Sequence, residues 1–403
     1  MKTIDPSDAT GPFDSAQIQA PAQIHDPAQI HAAALVIDTH ADTPQRFVDE
    51  SWDFTAPLGA GQINLAAARQ GNLAAEFFAL WVDPGPYPPG RYAHRTLTLL
   101  DGVLEQVRRH PRELALCLTP ADILAARAAG KFALLLGIEG GHSIENSLAL
   151  LRLYHRLGVR YMTLTWANSN EWADSSGDLD DRAILHHDGL THFGREVIAE
   201  MNRLGMMIDV SHASDKTLAD VLAIARAPIL ASHSCARALC DSPRNLSDAQ
   251  LRAIARTGGA VMVNFYAAFV DESYRQALIA LKPERTAANA ALAAEFAARA
   301  EPVPFHASNA IDREFAARIP RPPLASLIAH FDHIVSVAGI DHVGIGSDFD
   351  GISALPEGID SAADLPKITA ALAARGHSAA GLHKLLGGNL MRVFAAVQAA
   401  AVS

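Results

Sequence analysis

Residues 132–142 read FALLLGIEGGH, an unbroken apolar run that ends in a carboxylate and a pair of glycines. An apolar run without polar alternation is typical of a parallel strand that is buried on both faces. Glu139 follows this run directly, and a carboxylate at the end of a buried strand must be paired or bound to a metal. The stretch therefore predicts an α/β fold and a functional site at the carboxyl ends of its strands.

Seven other short apolar runs have the same character, and helical segments connect them. Thr119 and Pro120 have the N-cap and first-turn chemistry of a helix start, and Gly205 ends another helix. This repeated alternation predicts an α/β fold, a (β/α)8 TIM barrel, while an open doubly wound sheet is the alternative because closure leaves no mark on a sequence. The candidate strands are residues 35–38, 75–82, 132–138, 161–165, 206–210, 228–232, 260–264 and 343–346.

The chain of 403 residues suits one barrel with insertions. We predict an N-terminal arm over residues 1–30 and a single catalytic barrel domain over residues 31–403. A long segment at about 266–323, with an alanine-rich helical middle, is predicted to be an insertion before the last strand. Residues 166–190 form a long polar segment, which is typical of a lid or a specificity loop.

Composition excludes several classes of partner. The net charge is −11 and the chain has no basic run, which argues against nucleic acid binding. No apolar stretch reaches the length of a membrane span, so no membrane partner is expected. Small molecules are therefore the expected partners.

Three cysteines, Cys117, Cys235 and Cys240, give no disulfide framework and fit a reducing compartment, so we expect buried or partly buried thiols. The N-terminus lacks the basic start and apolar core of a secretory signal. The expected location is cytoplasmic, or periplasmic or exported if a signal peptide was trimmed.

Polar residues cluster where the predicted strands end, and in a barrel these ends share one rim. Each residue alone has an ordinary structural explanation, but five strands that deliver such residues together point to a metal site. Neutral imidazoles and carboxylates suit zinc or a similar divalent ion. We predict that one metal binds His40 and Asp42, that a second binds His212 and His233, and that Glu139 bridges them. Such a metal pair can share a hydroxide formed near neutral pH.

Six segments resemble motifs of the zinc-dependent membrane (renal) dipeptidase family, whose members are amidohydrolase-like, metal-dependent hydrolase barrels. They occur in the order of the family and span nearly the whole chain after residue 35. The segments are VIDTHADTP (36–44), GIEGGHSI (137–144), LGMMIDVSH (204–212), PILASHS (228–234), VMVNFY (261–266) and GIGSDFDG (344–351).

This resemblance implies a zinc dipeptidase with two zinc ions per subunit, although other divalent metals are possible, and a dipeptide substrate. It implies the same five metal ligands as the residues themselves suggest. It further implies that Asp348 carries a proton from the bridging hydroxide to the leaving amine, so that Asp348 and Glu139 are the catalytic residues. Arg244 would bind the terminal carboxylate of the substrate. The family also implies a homodimer.

One position departs from the family pattern. Members with dipeptidase activity commonly carry a histidine after the fourth strand that contacts the scissile carbonyl, whereas Trp166 follows Thr165 here. An indole can donate a hydrogen bond but cannot become cationic. Trp166 and Asn168 are therefore candidate substrate-binding residues, with Asn170 as another substitute for the histidine. A metal could also polarise the carbonyl alone, and His142, close in sequence to Glu139, could support the metal site.

Three functions are compatible with these residues. The first is hydrolysis of dipeptides by a binuclear zinc site. The second is an amidohydrolase that acts on N-acyl amino acids, lactones or related amides, a possibility that Trp166 raises. The third is a non-catalytic, metal-stabilised binding protein, against which the complete ligand set and Asp348 argue.

Overall fold

Nine parallel strands form one sheet in the computed structural model of the protein, which describes residues 26–402. The strand order is β2-β1-β9-β8-β7-β6-β5-β4-β3, and an additional pairing of β2 with β4 closes eight of these strands into a barrel. The strands are β1 Val36–Ala41, β2 Leu73–Trp81, β3 Leu114–Leu116, β4 Phe132–Glu139, β5 Val159–Thr163, β6 Met207–Asp209, β7 Leu230–Ala231, β8 Ala260–Val263 and β9 Val343–Ile345.

The predicted TIM barrel is confirmed, because each of the eight predicted strands overlaps one barrel strand. The alternative of an open sheet is wrong. The ninth strand, β3, was not predicted. It pairs only with the first residues of β4, on the side where β5 has not yet begun.

Helices cover the outside of the barrel. Thr119 forms a capping box with Asp122 at the start of α5, and Gly205 ends α7 with a φ of 68°, as predicted. The α-helices are α1 Pro27–Ala33, α2 Pro44–Asp49, α3 Leu65–Gln70, α4 Tyr92–Arg109, α5 Pro120–Ala128, α6 Leu148–Arg156, α7 His192–Leu204, α8 Asp215–Ile224, α9 Asp248–Arg256, α10 Ala267–Val270, α11 Glu272–Ala280, α12 Lys282–Ala298, α13 Phe305–Ala316, α14 Leu324–Ala338, α15 Leu365–Ala374, α16 Ala379–His383 and α17 Asn389–Ala399.

Shorter helical turns complete the secondary structure. Three are 3₁₀ helices, Gly141–Ile144, Ile340–His342 and Ala362–Asp364, and one is a π-helical turn, Lys384–Gly388.

The core has two main layers because successive side chains of a strand point to opposite faces. In β2, Phe77 belongs to a cluster inside the barrel, while Phe78 belongs to the cluster between the strands and the helices. Phe394 of α17 closes the barrel floor and lies edge-on to Phe77 at 6.1 Å. The interior below the rim is therefore filled, and the open volume of the molecule lies at the rim.

Two further segments are the predicted N-terminal arm and the insertion before the last strand. Residues 1–25 of the predicted arm lie outside the described residues, and α1 begins at Pro27 and buries Ile30. Five α-helices, α10 to α14, lie between β8 and β9. Helices α10 to α13 fall within the predicted insertion at about 266–323, and α12 has no buried residue.

All three cysteines are free and buried, as expected. None of the helices within residues 26–402 is both long and apolar enough to span a membrane.

Candidate metal centre

The rim at the carboxyl ends of the strands brings together every predicted metal ligand. His40 and Asp42 come from the end of β1, and Glu139 is the last residue of β4. His212 and His233 follow β6 and β7. All five residues are at most 9% exposed, so their polar atoms face one another rather than bulk water.

Glu139 lies between the histidines. Its Oε2 is 3.2 Å from Nε2 of His40, and its Oε1 is 2.8 Å from Nε2 of His212 and 3.5 Å from Nε2 of His233. The two oxygens of one carboxylate thus face two separate groups of imidazole nitrogens. Asp42 lies at the edge of this cluster, with Oδ2 3.7 Å from Nε2 of His40.

The ring of His40 is oriented from below by Tyr161 of β5. The Tyr161 hydroxyl donates to the carbonyl of Thr39 at 3.1 Å and accepts from Nδ1 of His40 at 2.8 Å. This contact places the proton on Nδ1 and turns the lone pair of Nε2 toward the rim. Gly137 leaves the space for the tyrosine, because a Cβ there would lie 2.0 Å from the phenol ring.

His233 is oriented by a second chain of hydrogen bonds. Ser232 Oγ donates to Asp209 Oδ2 at 2.6 Å and accepts from Nδ1 of His233 at 2.7 Å. Asp209 Oδ1 also accepts from the backbone amides of Ser211 and Ser232. Nε2 of His233 then faces Nε2 of His212 at 3.0 Å. Hydrogen bonds of this kind fix the tautomer of a metal-binding histidine.

Burial and the proximity of other charged groups shift the pKa values of the rim residues. Burial, together with repulsion from Glu139, raises the pKa of Asp42 to about 6. Burial alone would raise the pKa of Glu139 as well, but the three imidazoles outweigh it and lower that pKa well below its usual range. Burial lowers the pKa of His212 to about 4, so this ring is neutral, as a metal ligand must be.

These residues fit a metal. Nε2 of His40 and Oδ1 of Asp42 are buried without a hydrogen-bond partner among residues 26–402. Two groups have ligand atoms close enough to share one ion: His40 with Glu139 and His233, and His40 with Asp42 and Asp348. Buried, unpaired donor atoms of these types are the ligands that zinc and similar ions prefer.

Asp348 joins the rim from the loop after β9. Its Oδ2 accepts from the side-chain amide of Asn264 at 2.9 Å, and burial, with repulsion from Asp42 and Glu139, raises its pKa to about 8. Gly351 permits this approach, since a Cβ there would lie 2.0 Å from Asp42 Oδ2 and 2.5 Å from Asp348 Oδ1. Asp348 has a φ of 66°, and such backbone strain is concentrated at functional sites.

Arg244 lies on the rim at the end of β7. It donates to the carbonyl of His233 at 3.0 Å and weakly to Ser234 Oγ at 3.4 Å. Its guanidinium stacks over Phe269 at 5.2 Å, and its Nε has no partner among the described residues. A buried guanidinium held in this way has donors left for a carboxylate.

A cavity of about 1290 Å³ lies over the rim. Trp166, Arg244, Glu139 and Asp348 line it, together with residues of α12 and α13. Asn168 is not among the lining residues, and its amide donates to the carbonyl of Ser169 at 3.2 Å.

Asn170 and His142 also have structural partners. Asn170 donates to Leu164 and accepts from two backbone amides of its own loop. Nε2 of His142 donates to the carbonyl of Val82 at 2.8 Å.

Several residues of the site were not singled out from the sequence. Tyr161 lies within an apolar run and looks like core, and Asn264 lies in a quoted motif without an assigned role. Asp209 gave the clearest missed signal, since it is a carboxylate at the end of a buried strand, as Glu139 is. Trp81, the last residue of β2, also lines the cavity.

The sequence profile of the membrane dipeptidases, peptidase family M19, matches residues 25–403. The chain belongs to this family. The predicted resemblance is therefore confirmed, and this member of the membrane dipeptidase family presents its polar rim residues as candidate metal ligands.

Two curated relatives of this membrane dipeptidase homologue are Dipeptidase 3 of Mus musculus and of Rattus norvegicus. They are 33% and 34% identical to it over 368 residues, which is 90% of this chain. The chain spans 64% and 65% of the length of these two relatives.

Solved structures of similar proteins have the same fold. The probable dipeptidase PvdM from Pseudomonas aeruginosa is 27% identical, with a TM-score of 0.77 over 93% of this chain and 98% of that one. A metallo peptidase from Rhodobacter sphaeroides, liganded with a phosphinate mimic of the dipeptide L-Ala-D-Ala, is 26% identical, with a TM-score of 0.73 over 90% and 99%.

Proposed function

We propose that this protein is a binuclear zinc hydrolase that cleaves dipeptides. The observation that carries the proposal is the position of Glu139, whose two oxygens each face imidazole nitrogens from different strands. A carboxylate in this position suits a bridge between two ions. The mimic of L-Ala-D-Ala in the related Rhodobacter sphaeroides structure supports a dipeptide as the substrate.

His40 and Asp42 would bind one ion, and His212 and His233 would bind the other. Glu139 would bind both ions. When bound, the ions would polarise the scissile carbonyl and make water acidic enough to act as a nucleophile near neutral pH. Tyr161 and Asp209 keep the nitrogen lone pairs of His40 and His233 directed at the site. These contacts fix the orientation of the two rings, which reduces the cost of ordering the ligands around an ion.

Asp348 would move the proton. Its carboxylate lies beside Asp42 at the rim, and Asn264 holds one oxygen, which leaves the other for the proton. The carboxylate would take a proton from the attacking water at this oxygen and give it to the leaving amine nitrogen. Arg244 would meanwhile bind the substrate carboxylate and so fix which peptide bond lies over Glu139.

One observation favours the second candidate function. Trp166 lines the cavity where family members with dipeptidase activity commonly carry a histidine. Because an indole offers a neutral donor and a large apolar face, the pocket could suit N-acyl amino acids or related amides better than free dipeptides.

A hydrolysis screen tests these proposals. The zinc-loaded protein, its chelator-treated form and a chelated sample reloaded with zinc are assayed on L-L and L-D dipeptides and on N-acetyl amino acids. We expect cleavage of dipeptides that is lost with the chelator and restored by zinc, with about two zinc ions per chain by elemental analysis. Cleavage of only the acylated amino acids would favour the second function. No cleavage by zinc-loaded protein would contradict both.

A further inference from the structure

Three aromatic side chains, Trp81, Trp166 and Phe305, form one wall of the cavity, which we call the aromatic wall. The rings of Trp81 and Trp166 are 4.7 Å apart at their centroids, and those of Trp81 and Phe305 are 5.5 Å apart and nearly perpendicular. All three residues line the cavity. They come from β2, from the loop after β5 and from α13 of the insertion, so only the folded chain assembles them.

The aromatic wall is not ordinary core. Trp166 and Phe305 are half-buried, and both face the cavity rather than the packed layers of the barrel. Trp81 is 7% exposed, and its indole nitrogen has no hydrogen-bond partner among the described residues. A buried indole usually satisfies its N–H, so an unpaired donor beside a cavity is not typical of core packing.

The barrel order places the aromatic wall across the site from Arg244. Trp81 pairs in register with Glu139, so it lies directly beside the carboxylate at the centre of the rim. In the closed order β1-β2-β4-β5-β6-β7-β8-β9, β2 and β7 are four strands apart and therefore opposite. Arg244 donates a hydrogen bond to the carbonyl of His233, two residues after the end of β7. A ligand whose carboxylate binds Arg244 and whose central bond lies over Glu139 would extend toward the aromatic wall.

The cavity as a whole is large enough to hold a substrate with a large side chain. Its volume of about 1290 Å³ exceeds the usual range for small-molecule sites, roughly 300–1000 Å³. The insertion contributes both polar and apolar residues to its boundary, and the apolar ones include Leu292 of α12, Val303 and Phe305. These side chains are apolar, so a polar or very small substituent would leave them in contact with water instead of substrate.

We propose that the aromatic wall selects substrates with a large apolar or aromatic side chain on the residue farther from the free carboxylate, which is the amino-terminal residue of a dipeptide. The proposal rests on the proposed dipeptidase function, because that function places the carboxylate at Arg244 and the scissile bond at Glu139. Trp81, Trp166 and Phe305 are then specificity-determining residues. Phe305 gives the insertion a role in the choice of substrate.

A matched kinetic series tests this proposal. The zinc-loaded protein is assayed on Gly-Ala, Ala-Ala, Leu-Ala and Phe-Ala, which differ only in the amino-terminal side chain. We expect kcat/KM for Phe-Ala to exceed that for Gly-Ala by about 10-fold or more. Trp166→Ala and Phe305→Ala should each reduce this ratio at least several-fold, mainly by raising KM for Phe-Ala, since an apolar contact binds substrate and transition state alike.

Phe296→Ala is the matched control, because Phe296 lies on α12 of the same insertion but does not line the cavity. The ratio of kcat/KM for Phe-Ala to kcat/KM for Gly-Ala should be the same in this variant as in the wild type. A wild-type ratio near one, or an unchanged ratio in both Trp166→Ala and Phe305→Ala, would overturn the proposal.

Binding measurements separate this proposal from the proposed function. Calorimetry compares two phosphinate dipeptide mimics that carry a benzyl group or a hydrogen at the amino-terminal position. If no dipeptide is cleaved but the benzyl mimic binds about 10-fold more tightly and Trp166→Ala abolishes the difference, the aromatic wall stands and the proposed function fails. Equal binding of both mimics contradicts the aromatic wall, whatever the hydrolysis assay gives.

Discussion

Asp348 is a buried carboxylate that shares the rim with Asp42 and Glu139, and Asn264 holds one of its oxygens. It follows β9, which pairs with β1, and its carboxylate lies close to His40 and Asp42. In the proposed function this carboxylate carries the proton and is not one of the five metal ligands.

We therefore expect Asp348→Asn to retain metal and to lose turnover by about 10²- to 10⁴-fold, the usual contribution of a general acid–base group. Steady-state kinetics and elemental analysis of the same preparation measure both quantities. Loss of one metal equivalent would instead make Asp348 a ligand, and unchanged turnover would rule out its role as proton carrier.

Tyr161 affects the site through His40, since its hydroxyl accepts the Nδ1 proton of that ring. Tyr161→Phe should lower zinc affinity by about 10- to 100-fold, because the ring loses the partner that fixes its tautomer. Competition with a chromophoric chelator measures the affinity. Tyr154→Phe is the control, as Tyr154 is equally buried but donates to Ser143 away from the ligands. Equal affinities of the two variants would contradict the orienting role.

Strand β4 requires a glycine at position 137. Tyr161 of β5 lies over Gly137, where a Cβ would come within 2.0 Å of the phenol ring. The apolar run predicts this strand well, but it gives no sign of why one of its residues must be glycine. The reason lies in the neighbouring strand, whose register is set by the whole barrel.

Gly137→Ala should therefore destabilise the protein by about 1–3 kcal/mol, as expected for overpacking in a core. Denaturant unfolding of the metal-free protein measures the free energy. Gly381→Ala in α16 is the comparison, because a Cβ there meets no atom closer than 3.3 Å and alanine favours a helix. Equal changes of stability in Gly137→Ala and Gly381→Ala would contradict the explanation that Tyr161 needs the space at Gly137.

Elements differed in how well they could be predicted. The long runs of β2 and β4 were found because their burial on both faces leaves a continuous apolar pattern. The three residues of β3 carry no such signal, and they form a strand only because β4 offers an unpaired edge there.

Asn168 was a reasonable candidate for substrate binding. Side-chain direction in a loop depends on local hydrogen bonds, however, and the Asn168 side chain donates to the carbonyl of Ser169. Its role stays a prediction.

For the whole molecule, buried neutral histidines link stability to pH. His330 of α14 accepts from the backbone amide of Ala236 at 3.1 Å and donates to the carbonyl of Val270 at 2.9 Å. It therefore joins α14 to the loop after β7 and to the end of α10. Burial lowers its pKa to about 4 in the folded state. Between about pH 6.5 and 4, His330 therefore binds a proton in the unfolded chain but stays neutral in the folded chain.

The free energy of unfolding should thus fall as the pH drops from about 6.5 to 4, and His330 should contribute up to about 3 kcal/mol of that loss. His330→Gln should flatten the slope in this range, measured by denaturant unfolding at several pH values. His192→Gln, at an exposed position on α7, should leave the slope unchanged. Parallel slopes for wild type and His330→Gln would disprove the link.

The eight barrel strands, the helix ends at Thr119 and Gly205, and the candidate ligands at the strand ends could all be predicted from the amino-acid sequence. These features are local, because burial, capping and strand termination each leave a pattern within a few neighbouring residues. Three relations became visible in the folded chain alone. The pairing of β2 with β4 closes the barrel, and Tyr161 orients His40. Trp81 lies beside Glu139 and opposite Arg244. Those relations depend on strand order and register between residues far apart in the chain, which no local pattern contains.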